Sequence, residues 1–253
     1  MINLLRAEWI KLRTIRMNWV LGIIALAFPL VVTLITAAVT GDDYDDAVRK
    51  IIDVLTGTSI VSALLGGVMA VSTITGEFGF GTIRTTFAAT PRRGRVLAAK
   101  AVVVVAVVTI LQTIVMAVGA FGGAALSRSQ GATIDWADQP NALPACIGAV
   151  VLAALITLLG FGLGALLRST PFATTMLMLW PLLAESLIGA LLINVFHSER
   201  ILNWLPFRAG FRLATADLYS FEGPSRVTSG LYFGAVALVV TIVGCITVQR
   251  RDA

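Results

Sequence analysis

The stretch from Thr75 to Lys100 concentrates the chain's reactive and recognition side chains. Glu77 is followed at +4 and +5 by Gly81 and Thr82, and then by Arg84, Pro91, Arg92, Arg93, Arg95 and Lys100. Thr82 has the hydroxyl to cap a short helix over Thr85–Ala89, which Pro91 prevents from continuing. Phe78, Phe80, Ile83 and Phe87 give that helix an apolar aspect that a solvated loop does not need. Anionic lipid headgroups account for the arginines. They do not account for a glycine-punctuated, aromatic helix in front of them. A helix seated in a groove of a partner protein does. The chemistry here is recognition, not bond-making.

Other chemistry is limited by what is missing. A single histidine, His197, excludes the two-histidine H-E-x-x-H metal site, and two separated cysteines are too few for structural zinc. Only three lysines occur, and none lies in the G-x-x-x-x-G-K-[ST] phosphate-binding pattern. No catalytic residue, metal site or bound cofactor is expected of this chain. Cys146 and Cys245 fall near opposite faces of a membrane, too far apart for a disulfide. Glu185 is the one carboxylate inside an apolar span, about ten residues from its outer end. A carboxylate there is costly and points to function. It could line a pathway and meet a cationic substrate, or be protonated, or be satisfied by Ser186 or a neighbouring helix.

The elements that must position these groups follow from composition. Of 253 residues, 57% are hydrophobic and 13% charged, against about a quarter charged in soluble domains. Mean hydropathy is +0.90. Lipid is the main solvent. Six runs reach the roughly 20 residues needed to cross a bilayer: Trp19–Val39, Val54–Thr75, Ala101–Leu126, Leu143–Leu167, Phe172–Ile193 and Ser229–Val248. They lack the alternation of barrel strands, so they read as helices. The fold class is an all-α integral membrane protein with six transmembrane helices, forming a single transmembrane domain over 1–253. The first run is too long for the core of a cleavable signal and reads as a retained span.

Charge placement sets the direction. Alternate connecting segments hold 12 basic and 3 acidic residues on one side, and 7 basic and 10 acidic on the other. The basic side is cytoplasmic, giving an N-in, C-in topology. The net charge of +5 then requires no nucleic acid. Ahead of the first span, residues 1–18 read as an interfacial helix, with Ile2, Leu5, Trp9 and Leu12 on one arc. This helix either links to a gate or anchors on the membrane surface. The outer segment 194–228 is too apolar for a free loop, with Ile201, Leu202, Trp204, Leu205, Phe207 and Phe211, and reads as short re-entrant helices. Pro29 and Pro181 are expected to bend spans one and five. The pairs Gly119/Gly123 and Gly160/Gly164 are expected in helix packing.

With these residues in view, the chain resembles the permease subunits of type-2 ABC transporters, actinobacterial ones in particular. Glu77, Gly81, Thr82, Arg84, Pro91, Arg95 and Lys100 stand in the order of that family's coupling-helix region. Ala7-Glu8-Trp9-Ile10-Lys11-Leu12-Arg13, Leu205-Pro206 with Ala209-Gly210, and the ending Arg250-Arg251-Asp252-Ala253 are similar too. Phe78-Gly79-Phe80 departs from the polar or basic residues frequent there, implying a more apolar contact. The resemblance implies a bacterial plasma-membrane exporter subunit that works as a homodimer or with a paralogous permease. It implies a separate cytoplasmic ATPase that binds ATP and Mg, contacted through Glu77, Phe78, Phe80, Gly81, Thr82, Ile83 and Arg84 in the coupling segment 76–100. It also implies that 194–228 forms an outer lid. The rival class is an ATP-independent secondary transporter or channel.

Overall fold

Lipid offers no partner for backbone N–H and C=O groups, so each apolar run satisfies its own by becoming a helix. The computed structural model describes residues 2–39, 47–79, 81–82, 93–137, 139–197, 199–216 and 223–251. An N-terminal helix α1 (Ile2–Thr14) precedes α2 (Arg16–Val39), α3 (Ala47–Gly79), α4 (Arg93–Ser129) and α5 (Ala142–Leu167). The fifth span comprises α6 (Thr170–Leu179), a π-helical turn (Trp180–Ala184) and α7 (Glu185–Phe196). A 3₁₀ turn (Glu199–Trp204), the short α8 (Pro206–Phe211) and the last span α9 (Arg226–Arg251) complete the order. No strand occurs among the described residues. Among the described residues, six helices are long and apolar enough to cross a membrane.

Two helices exceed their apolar runs. The 33 residues of α3 and the 37 of α4 rise roughly 50 and 55 Å at 1.5 Å per residue, well beyond a hydrocarbon core of about 30 Å. Their polar ends remain helical: Arg49 and Asp53 pair at 3.8 Å across one turn of α3, for example. Hydropathy detects where lipid touches a helix, not where the helix stops. Glu77 and Lys100 therefore stand on rigid helix rather than on loop.

The core lies around α3 and α5. Within their most apolar windows 67% and 56% of residues are buried, against 17% in the first and fifth spans. The two inner helices touch backbone to backbone. A Cβ added at Gly160 would sit 2.4 Å from the carbonyl oxygen of Gly67. Gly164 approaches Ile74 of α3 equally closely, and Gly119 and Gly123 receive Leu55 and Ile51. Both small-residue pairs thus serve packing inside the bundle. The proline at 181 lies in the π turn, where it removes a backbone donor; Pro29 sits inside a continuous α2.

The break between α1 and α2 falls at Ile15 and is held by side chains. Asn18 Nδ2 donates to the carbonyl of Leu12 at 3.1 Å, and Trp19 Nε1 to that of Arg13 at 2.7 Å. These are carbonyls that the end of α1 leaves without helical partners. The elbow is a fixed joint. Cys146 and Cys245 are free thiols.

Candidate functional site

Six alternating spans bring α1, the end of α3, the start of α4, the α5–α6 turn and the end of α9 to one face of the bundle. This is the basic face. Four charges from three of these elements converge there. Lys100 Nζ bonds Glu77 Oε1 at 2.8 Å and also bonds Glu8 Oε2. Lys11 Nζ bonds Glu77 Oε1 at 2.9 Å and Glu8 Oε1 at 3.0 Å. Lys100 and Glu8 are almost wholly buried, at 2% and 3% exposure, while Glu77 keeps 12% and Lys11 43%. Two carboxylates and two ammonium groups balance, so the cluster carries no net charge into a poorly solvated place. Burial alone would lower the Lys11 pKa. Hydrogen bonds to Glu77 and Glu8, with the charges of those carboxylates, outweigh burial and raise it above its ordinary value.

The last turn of α3 is gripped on its other side as well. The Arg168 guanidinium lies over the Phe78 ring at 5.0 Å, a cation–π contact. Arg168 ends α5 in the left-handed region, its N–H on the carbonyl of Gly164 at 3.0 Å. The hydroxyls of Thr75 and Thr170 meet at 2.6 Å, joining α3 to the first turn of α6. Thr75, Glu77 and Phe78 therefore tie one helix end to α1, α4, the α5–α6 turn and the fifth span. Beyond them the chain turns at Gly81, whose φ of +69° favours glycine and whose N–H bonds the carbonyl of Phe78 at 3.2 Å.

Of the residues expected in the coupling segment, Glu77 and Phe78 are thus in the hub, and Gly81 and Thr82 are exposed just past it. Phe80, Ile83 and Arg84 lie outside the described residues, as do Thr85–Ala89 and Pro91. On α1 the bundle-facing side is Glu8 and Leu12, with Leu4 packed on the core and Leu5 half-buried. Trp9 points away, 45% exposed. Counting only apolar residues on the wheel drew the arc toward Trp9. It missed that Glu8 and Lys11, three residues apart on one helix face, meet buried charges. The unpaired need of Lys100, a lysine opening an apolar run, was the available signal.

Glu185 occupies a separate site in the second half of the fifth span, just after the π turn. Its side chain is buried, and its two oxygens accept the backbone N–H groups of Phe207 at 2.7 Å and Arg208 at 2.9 Å. These are the second and third amides of α8, where a capping side chain acts; Pro206 has no N–H, and Leu205 has no acceptor in its side chain. The carboxylate performs from another helix the service that local sequence lacks. Phe207 in turn packs on Phe211 and Phe233, with ring centroids 5.9 and 5.4 Å apart. The neighbouring 3₁₀ turn is pinned by Tyr232, whose hydroxyl donates to the Trp204 carbonyl at 2.9 Å.

Fold and site together define a multi-pass helical membrane protein with its N-terminal helix keyed into its basic face. The family profile described as "ABC-2 family transporter protein" matches residues 4–198, and the chain belongs to that family. The match takes in the four-charge cluster and Glu185 alike. The chain is accordingly a membrane transport subunit of ABC-2 permease type, and the bacterial plasma membrane fits the family. No curated protein matches the chain.

Proposed function

We propose that this chain is the membrane-spanning subunit of an ATP-driven exporter, oriented with its basic face to the cytoplasm. Two such subunits, identical or paralogous, form the pathway, and a separate ATPase supplies the nucleotide site and its Mg. The observation that carries the reading is the cluster centred on Glu77. Segment 76–100 is the family's coupling region, and the helix end feeding it is locked to α1, α4, the α5–α6 turn and the fifth span. Closure of the ATPases would push that segment. The push enters α3 and passes through Lys11 to α1, through Lys100 to α4, and through Thr170 to the fifth span. The first and fifth spans, least buried in the subunit, are the ones free to shift against a second copy. The cargo class is a drug, a lipid or another amphipathic compound, in keeping with apolar walls.

The test is co-purification with the ATPase of a neighbouring reading frame, followed by a screen for amphiphiles that stimulate hydrolysis. A stable complex whose ATPase rate rises with one compound is expected. Transport by the chain alone in sealed vesicles without ATP would overturn the reading in favour of a secondary transporter or channel.

A further inference from the structure

On the lipid-facing side of the α1–α2 elbow, a cleft of about 310 Å³ opens between α1, α2, α3 and α4. Its size falls within the roughly 300–1,000 Å³ of ordinary ligand pockets. The floor is apolar: Gly22, Leu26, Met69, Val107 and Leu111 face it. The rim is different. Arg13 stands there with Trp9 and Trp19, both indoles about half exposed.

Position decides what such a cleft fits. The elbow is the point where an interfacial helix becomes a span, so Arg13, Trp9 and Trp19 stand at headgroup level, where tryptophan concentrates. From Trp19 to Ala27 the cleft follows α2 for eight residues, roughly 12 Å at 1.5 Å per residue. One leaflet's share of a hydrocarbon core of about 30 Å is similar. A single exposed arginine beside an apolar trough one leaflet deep is complementary to a phospholipid with an anionic headgroup. Because the Trp19 indole is held on the Arg13 carbonyl, rim and trough keep one spacing.

We propose that this cleft is a binding site for an anionic phospholipid of the cytoplasmic leaflet, its headgroup on Arg13 and an acyl chain along Gly22 and Leu26. The site rests on the orientation proposed above but not on ATP coupling or on any cargo. Occupancy would brace α1 in the elbow, on the side away from Glu8 and Lys11. Bound lipid would thereby bear on the helix that the ion cluster holds from within.

The experiment is native mass spectrometry of the delipidated full-length subunit, titrated with phosphatidylglycerol or with phosphatidylcholine. The wild type is expected to take the first phosphatidylglycerol about five-fold more tightly, the effect of one surface cation near an anionic headgroup. Arg13→Gln is exposed and should fold normally; it should remove that preference while leaving phosphatidylcholine binding in place. Gly22→Leu, whose new side chain enters the trough beside Met69 and Leu111, should weaken first-site binding of both lipids. Equal binding of the two lipids by the wild type overturns the proposal, as does a preference that survives Arg13→Gln. Lipid found on the monomer but excluded from the dimer overturns it in favour of an interface between copies. A failed export assay leaves these readings untouched, so the lipid site and the transport reading stand or fall separately.

Discussion

Lys100 is the most exacting residue in the molecule, because its ammonium is nearly inaccessible and depends on carboxylates from two other elements. Removing one member of a buried ion pair strands the other, at a cost of about 3–5 kcal/mol. Lys100→Met should therefore destabilise the folded subunit by that order in denaturant titration in micelles. Adding Glu8→Gln should recover much of the loss, since Glu77 and Lys11 remain as a pair. Additive losses in the double variant would show that Glu8 and Lys100 do not share one network. In sequence, Glu77 and Lys100 stood out as charges at the mouths of two apolar runs. Glu8 and Lys11 did not, because they met their partners 66 to 92 residues away. A helical wheel counts a buried, paired glutamate as solvent-facing.

At the scale of elements, two junctions deserve separate tests because they use opposite devices. The α3–α5 contact depends on having no side chain. Valine at 160 would place Cβ 2.4 Å from a backbone oxygen that cannot rotate aside, so Gly160→Val should cost at least the 1–3 kcal/mol typical of overpacking. A thermal midpoint unchanged in micelles would contradict that contact. The fifth span meets α8 through a charge. Glu185→Gln keeps the size but loses the charge-assisted bonds, so the Phe207 and Arg208 amides should exchange hydrogen about ten-fold faster or more. Because both oxygens face backbone amides, transport of cationic and neutral cargo should fall alike. A loss confined to cations would return Glu185 to charge recognition in the pathway. The existence of the six spans could be read directly from hydropathy, and the small-residue pairs announced close packing. The polar ends of α3 and α4 could not be read this way, since the helix continues where the apolar run has stopped. Nor could the distant cap on α8, which joins positions some twenty residues apart across α7 and the 3₁₀ turn.

The whole molecule is organised by where its few charges sit. The basic residues predict that both termini share the cytoplasmic side, and the acidic segment between Val39 and Ala47 the other. A periplasmic reporter such as alkaline phosphatase should be active when fused in that segment and silent at either terminus. Activity at a terminus would invert the orientation. The uneven burial of the spans adds what sequence could not supply: α3 and α5 form the fixed interior, while the first and fifth spans are left uncovered. Hydropathy does not separate them, since the two least apolar spans are one of the most buried and one of the least buried. If motion enters through the helix end at Glu77, loss of that carboxylate uncouples hydrolysis from export. The most direct measurement is the ratio of compound exported to ATP hydrolysed by the reconstituted complex, for wild type, Glu77→Ala and Glu77→Gln. Hydrolysis per assembled complex should persist in both variants while the ratio falls about ten-fold in Glu77→Ala, with Glu77→Gln intermediate; the protein should stay in the membrane, at lower abundance in Glu77→Ala because Lys11 and Lys100 are left sharing Glu8. A wild-type ratio in correctly assembled Glu77→Ala would contradict the account.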